Sequence, residues 1–525
     1  MPNPRLALIP PPQSCTKPAG SAFKLTAKTV LVTDRPFAPT ARLVADRLRN
    51  STSWPFPIVA GGARPSGLPV IEFRRASPAI ANPEAYTLRV TAKRITITAS
   101  TPAGAFYGSQ TLLQLLPPAI YGETPRPELT WTVPAVEIED APRFRWRGVM
   151  IDSARFFQPI GYLKKFIDLM AQHKLNVFHW HLVDDQGWRI EIKKYPRLTT
   201  IGSKRRETVR GHRTSDLGGD GVPIEGFYTQ TEIRELVAYA AARHVQILPE
   251  IEMPGHAQAA VAAYPELGLL PQAREVSCTW GIHETLFNTK PKTFAFLQDV
   301  LTEVIGLFPF EYLHIGGDEA VKKQWKEDAK TQAHMHVLGL PDEEHLQSWF
   351  IRQIEEFLQM NGRRLIGWDE ILEGGLAKSA TIMSWRGIEG AIAAAKLGND
   401  AIMCANPYLY FDHYQSATPA AEPLAIGGNL PLEKVHSYEP IPAELSPAQE
   451  RCIIGVQGQL WTEYIPTTSH LEYMAFPRLC ALAEVAWSAK DRPSFPNFLG
   501  RLCHHLRRLE TQDVRYRGPF ESIPT

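Results

Sequence analysis

Asp318 and Glu319 stand side by side at the end of Tyr312-Leu-His-Ile-Gly-Gly-Asp-Glu-Ala320. An apolar run stopped by Gly-Gly reads as a buried strand with a sharp exit. Carboxyls delivered there sit in partly dry surroundings, where their pKa values are pushed apart. One stays protonated while its neighbour stays charged, which is the division of labour that glycosidic cleavage needs. An Asp-Glu pair is common by itself, so its surroundings decide what it can do.

Such a pair needs a scaffold. Beyond Asp140-Ala-Pro-Arg143, short apolar strands alternate with helical patterns. The strands are expected at Trp146–Asp152, Asn176–Val183, Val245–Ile251, Tyr312–Gly317, Arg364–Glu370, Thr381–Gly387, Asp400–Asn406 and Ile453–Glu463. Thr229 and Glu232 form a capping box ahead of Ile233, Leu236, Val237 and Ala240, and Leu297, Val300, Leu301 and Val304 repeat the helical spacing. Eight strands alternating with helices are what a (β/α)8 TIM barrel requires. Residues 1–140, with a strand at Val30–Thr33, alternation through Tyr86, Leu88 and Val90 and then Ile95 and Ile97, and helices around Leu43–Leu48 and Ala105–Leu116, read as a smaller α+β accessory domain. The division is therefore 1–140, a barrel over 141–490 and a C-terminal helical segment over 491–525 with a closing helix at Phe495–Arg508.

A barrel collects its chemistry at the C-terminal ends of its strands. Those ends carry Asp152 and Arg155, His179 and His181 with Asp184 and Asp185, Glu250, Glu252 and His256, then Asp318 and Glu319. Trp368, Asp369 and Glu370 follow, then Trp385, Tyr410 with Asp412, and Trp461 with Glu463. The irregular stretches Arg189–Tyr228 and Gln258–Lys292 are expected to be loops on this face.

Two chemistries compete for such a mouth. In a sugar hydrolase, Trp faces stack on pyranose rings while Arg and carboxylates take the hydroxyls. In a metal hydrolase, His179 and His181, two apart and so on one face of a strand, would be completed by His256 and Asp318. The tryptophans favour the sugar. Any one of Trp368, Trp385 and Trp461 is more simply core packing, but three at equivalent strand ends would crowd a metal and would line a sugar pocket. For His179 and His181 the plain alternative is a structural hydrogen bond, and for Arg155 a salt bridge to Asp184.

Bulk properties exclude other classes. A net charge of +1 with no charged block gives no footprint for nucleic acid or a membrane surface. Nothing approaches the roughly 18 apolar residues of a membrane span. Met1 to Pro10 is no signal peptide as written, so the protein is either cytoplasmic or periplasmic or extracellular after loss of a leader. Six scattered cysteines without CxxC read as buried free thiols.

The motifs Arg147-Gly-Val-Met-Ile-Asp-Ser-Ala-Arg155, Asn176-Val-Phe-His-Trp-His-Leu-Val-Asp-Asp-Gln-Gly-Trp188, Pro249-Glu-Ile-Glu-Met-Pro-Gly-His256, His314-Ile-Gly-Gly-Asp-Glu319, Gly367-Trp-Asp-Glu370 and Gly458-Gln-Leu-Trp-Thr-Glu463 occur in this order. Together they resemble the β-N-acetylhexosaminidases of glycoside hydrolase family 20, in particular the bacterial exo-acting members. Gly104-Ala-Phe-Tyr-Gly-Ser-Gln-Thr111 resembles that family's accessory domain.

The resemblance implies substrate-assisted retention, in which the 2-acetamido oxygen attacks the anomeric carbon. It implies Glu319 as general acid and base, Asp318 orienting the acetamido group, and Tyr410 bonding its oxygen. Trp368, Trp385 and Trp461 would enclose the N-acetyl methyl and the ring, and Arg155, Asp412 and Glu463 would hold the hydroxyls. Asp184 and His256 would support the catalytic glutamate. The implied ligand is an oligosaccharide or glycoconjugate ending in β-linked GlcNAc or GalNAc, with no metal and no cofactor. A family member releasing a disaccharide, of the lacto-N-biosidase kind, is the close alternative, although Arg155 with Glu463 argues for a pocket that takes one sugar. Relatives often carry an aromatic near the position of Asn429, which this chain lacks, and Trp280 with His283 would shape the aglycone side instead.

Overall fold

The computed structural model describes residues 6–62, 65–269, 274–375 and 379–518. The chain ends and residues 270–273 of the expected Gln258–Lys292 loop lie outside them.

The eight expected strands close into one parallel barrel in sequence order, with the last, Ile453–Leu460, pairing back onto the first, Trp146–Asp152. Between them come Val177–His181, Gln246–Glu250, Tyr312–His314, Arg364–Trp368, Thr381–Ser384 and Ala401–Met403. The first and last strands are buried along their whole length. Helices cover the outside, which is why these strands read as continuous rather than alternating apolar runs. Most are shorter than their apolar runs. The fourth stops at His314 because Gly316 and Gly317 take φ of 67° and 94°, which ends the ladder and turns the chain across the barrel top.

Helices form where their signals stand. Gln230–Ala241 carries the full capping box between Thr229 and Glu232, and Pro291–Leu307 buries Leu297, Val300, Leu301 and Val304. The Arg189–Tyr228 stretch is not all loop, since Lys204–Arg205 pairs with Ile224–Glu225. Among the described residues no helix is long and apolar enough to cross a membrane.

The N-terminal residues build a seven-stranded mixed sheet in the order Ser14–Thr16, Val136–Asp140, Tyr86–Val90, Arg94–Ala99, Val70–Arg75, Val30–Thr33 and Ile58–Ala60. Helices Ala38–Thr52 and Pro102–Leu115 accompany it. Buried polar anchors join this sheet to the barrel. Asp140 accepts from Tyr86 Oη at 2.6 Å, Lys174 Nζ at 2.7 Å and Trp487 Nε1 at 2.9 Å. The closing helix Phe495–Thr511 contributes Arg508, which donates to the carbonyls of Ala7 and Gln114.

All six cysteines are free, but only Cys404 and Cys480 are buried; Cys15 on its short edge strand is exposed.

Candidate active site

The strand ends converge on a cavity of about 230 Å³ lined by Arg155, His256, Asp318, Glu319, Trp368, Trp385, Tyr410, Asp412, Trp461 and Glu463. Of the residues to which the resemblance gives a catalytic, supporting or sugar-binding role, only Asp184 stands behind the wall, where it is buried.

Asp318 and Glu319 enter on the tight Gly316-Gly317 exit. A Cβ on Gly316 would lie 1.7 Å from Glu252 Oε2, so only glycine lets the chain pass over that buried carboxyl. The two acids differ in exposure. The Asp318 side chain is 11% exposed and that of Glu319 31%, so Asp318 lies on the inner wall and Glu319 nearer the opening. Burial raises Asp318 to about 6, opposed by the charge of His256 and reinforced by Glu319. Its Oδ1 has no hydrogen-bond partner among the described residues, leaving an acceptor free for a ligand.

His256 links the pair to the second strand. Its Nδ1 lies 3.2 Å from Asp184 Oδ1 and 3.1 Å from Asp185 Oδ2, and its Nε2 3.6 Å from Asp318 and 3.5 Å from Glu319. Burial works against a charge here, but Asp184 foremost, then Asp185 and Glu319, hold the imidazole well above its ordinary pKa. It is therefore a cation at neutral pH, set between the acids that support it and the acids it serves.

Arg155 is held by the turn after the first strand, where Asp152 Oδ1 accepts the amides of Ala154 and Arg155. Its guanidinium lies 2.7 Å from Asp184, 3.2 Å from Asp152 and 3.9 Å from Glu463. The expected bridge to Asp184 thus coexists with a place in the cavity wall. Burial raises Glu463 despite Arg155, and it raises Asp412 well above the carboxylate range, helped by Glu463. Asp412 Oδ1 is also without a partner among the described residues.

The aromatic wall is fixed by its N–H groups. Trp368 Nε1 donates to Glu250 at 2.9 Å, and Trp385 Nε1 to Glu370 at 2.9 Å. Trp385 stacks with Tyr410 at 6.0 Å, and Trp461 stands 5.9 Å from Trp368. Burial keeps the Tyr410 phenol protonated, so it can only donate or accept as a neutral hydroxyl.

The rival ligand quartet does not assemble. His179 and His181 point into the barrel interior around Glu250, which also meets His314 at 2.8 Å, while His256 and Asp318 meet above them. His179 has its pKa lowered to about 4 by burial and accepts from Gln457 Nε2 at 2.9 Å, a satisfied structural bond. His181 goes the other way. Burial opposes its charge, yet Glu250 and Asp184 raise it to about 10, making it a cationic bridge between them. Sequence reading noted Glu250 at a strand end without a role. The signal was available in His179-x-His181 on the neighbouring strand, whose inward faces need a buried partner.

At the mouth, Trp280 lines the cavity with Ile282, Arg213, Tyr464, Gly427 and Gly428. His283 does not. Its Nε2 turns to Ser277 Oγ at 3.1 Å and the Thr279 carbonyl at 3.3 Å. Asn429 is exposed, and Ile426 to Gly428 form the wall beside it.

Comparison with known proteins identifies the family. The model of the glycosyl hydrolase family 20 catalytic domain matches residues 144–490, and that of domain 2 of the family residues 5–141. A β-hexosaminidase of Porphyromonas gingivalis is 45% identical over 98% of this chain, which spans 65% of that protein's length. The GH20 exo-β-N-acetylglucosaminidase of Vibrio harveyi, solved with N-acetylglucosamine, superposes with a TM-score of 0.85 at 34% identity, covering 98% of this chain and 79% of that one. The GH20 β-N-acetylhexosaminidase of Streptomyces coelicolor A3(2) gives 0.84 at 30% identity over 98% of both chains. With its barrel, its acid pair and matches along nearly the whole chain, the protein belongs to glycosyl hydrolase family 20.

Proposed function

We propose that the protein is a retaining exo-β-N-acetylhexosaminidase that removes terminal β-linked GlcNAc or GalNAc by substrate assistance. The carrying observation is that Asp318 and Glu319 lie on one wall, both within 3.6 Å of the same His256 nitrogen. A two-carboxylate retaining enzyme sets its acids on opposite sides of the scissile bond, about 5–5.5 Å apart. Adjacent acids on one loop suit a reaction whose nucleophile is the substrate's own acetamido oxygen.

Glu319, nearer the opening, protonates the leaving oxygen and afterwards takes a proton from water. Asp318 accepts the acetamido N–H through its free oxygen and offsets the charge that develops on the oxazolinium nitrogen. Tyr410 donates to the acetamido oxygen and aims it at the anomeric carbon. Trp368, Trp385 and Trp461 exclude water from the ring and the methyl. Arg155, Asp412 and Glu463 take the hydroxyls, while Asp184 and His256 hold the acids in register. The barrel residues 141–490 carry this chemistry, on a scaffold of 1–140 and 491–525. No metal or cofactor enters any step.

Release of p-nitrophenol from its β-GlcNAc and β-GalNAc glycosides tests the reading. Turnover should resist EDTA and fall by roughly 10²–10⁴ in Glu319→Gln and by about 10²–10³ in Asp318→Asn. Fluorine on the acetyl methyl should slow the wild type, because it weakens the attacking oxygen. Activity indifferent to the two substitutions, or restored by metal after chelation, would end the proposal.

A further inference from the structure

The floor of the cavity is rich in acids, whereas its mouth presents a cation. Arg155 and His256 are both committed to carboxylates. Arg213 differs. Its side chain is exposed at the mouth, and among the described residues its guanidinium forms no ion pair.

Its position is built rather than incidental. Lys204–Arg205 and Ile224–Glu225 form the base of a long excursion from the loop after the second barrel strand. Near its tip, Arg213 N–H donates to Tyr464 Oη at 3.0 Å. The neighbouring His212 ring stacks on Tyr464 at 5.5 Å with an interplanar angle of 9°, and its Nε2 pairs with the Ile426 carbonyl at 3.0 Å. The excursion is thereby fastened to the loops after the seventh and eighth strands. Beside it stands Trp280, held at 5.2 Å under the buried Arg205 guanidinium, and the exposed Ile282. A guanidinium fork next to an aromatic face and an apolar side chain suits a sugar ring that carries an anion.

On the floor the groups beside a bound sugar are the Asp412 and Glu463 carboxyls, with Arg155 already paired, so the unit left at the mouth is the one that Arg213 suits. We propose that Arg213 makes this mouth a subsite for an acidic residue, a hexuronate or another carboxylate-bearing sugar, glycosidically linked to the terminal N-acetylhexosamine. The inference rests on the function proposed above and names the substrate class of the same site.

Two disaccharides with the same β-linked GlcNAc, one on a neutral hexose and one on the matching hexuronic acid, test it with wild type, Arg213→Gln and Arg213→Lys. The ratio of kcat/KM for acidic over neutral substrate should fall roughly tenfold in Arg213→Gln, the scale of one hydrogen bond to a charged group, with part retained in Arg213→Lys. The wild-type preference should shrink as salt rises. A ratio unmoved by Arg213→Gln would overturn the proposal while leaving the hexosaminidase reading intact. A third substrate, 6-O-sulfated GlcNAc on a neutral aglycone, checks the placement. Dependence on Arg213 there, and not with the hexuronate, would overturn it in favour of the terminal sugar. If no substrate turns over, the functional reading fails, and the ratio of Kd values for the two disaccharides on Glu319→Gln still decides whether Arg213 selects the acid.

Discussion

His256 and Glu319 face each other at 3.5 Å, and both hold a left-handed backbone with φ of 48°. Residues other than glycine seldom adopt that region, at a cost of order 1–3 kcal/mol each, and do so mainly where surrounding structure over-determines them. The cause here is close approach. A Cβ on Gly255 would lie 3.1 Å from Ala320 Cα, so the two loops run backbone against backbone and leave these residues little choice. Strain is thus concentrated where one cation must address two carboxyls.

Replacing His256 by Asn removes the charge that holds Asp318 down. Asp318 now sits at about 6, so it is mostly ionised at pH 7. In the variant its pKa should rise, and the acid limb of the kcat/KM profile should move to higher pH. A rise of one unit cuts the rate about tenfold below both values. A limb that stays in place would show that Asp318 does not govern it.

Gly316→Ala and Gly398→Ala should separate steric cost from backbone cost. Both glycines have positive φ, 67° and 85°. At Gly316 the new methyl collides with the Glu252 carboxyl, whereas at Gly398, which caps helix Glu389–Leu397, nothing lies within 4 Å. The first should cost about 3 kcal/mol or more and the second about 1 kcal/mol. Denaturant midpoints measure both, and equal losses would refute the packing argument.

A neutral histidine pair ties the closing helix to the barrel. His173 Nε2 meets His505 Nε2 at 2.8 Å in a buried site beside Arg508. Burial first, and then Arg508, lowers His173 to about 4, while burial, His173 and Arg508 push His505 well below its ordinary value. The unfolded chain takes up these protons near pH 6.5, and the folded chain resists. Stability is therefore complete above 6.5 and lost as pH falls towards 4, by about 1.4 kcal/mol per unit for each histidine. Thermal midpoints between pH 7.5 and 5.5 should fall less steeply in His505→Gln than in wild type.

Glu370 behaves in the opposite sense. Burial, then the charge of Asp318, lifts it to about 8, and it receives the Trp385 N–H. The unfolded chain releases this proton near 4.5, so the folded state loses stability as pH rises from 4.5 to 8. Glu370→Gln keeps an acceptor for Trp385 and no longer titrates. Its stability should match wild type near pH 4.5 and gain on it by about 1.4 kcal/mol per pH unit towards pH 8, read as a widening gap in thermal midpoint. A gap that does not widen with pH would contradict a protonated Glu370.

Local order carried much of this protein into view. The apolar runs announce all eight barrel strands because helices bury the outer face of each and the barrel interior buries the inner one, and Gly316-Gly317 marks the exit that delivers Asp318 and Glu319. Sequence alone placed Trp368, Trp385, Tyr410 and Trp461 at strand ends, where a barrel gathers its side chains. It could not rank partners. Whether His181 is a ligand or a bridge depends on Glu250 and Asp184 closing on it from other segments, and the fate of His283 on Ser277 and Thr279. Nor does it show that an excursion near residue 213 folds back over the mouth, since the fastening hydrogen bonds reach Ile426 and Tyr464, more than two hundred positions away. Periodicity and turn chemistry act over a few residues, so the sequence by itself determined the barrel and the candidate residues. Charge states and pocket walls arise from burial and from groups distant in the chain, and only the tertiary structure decided those.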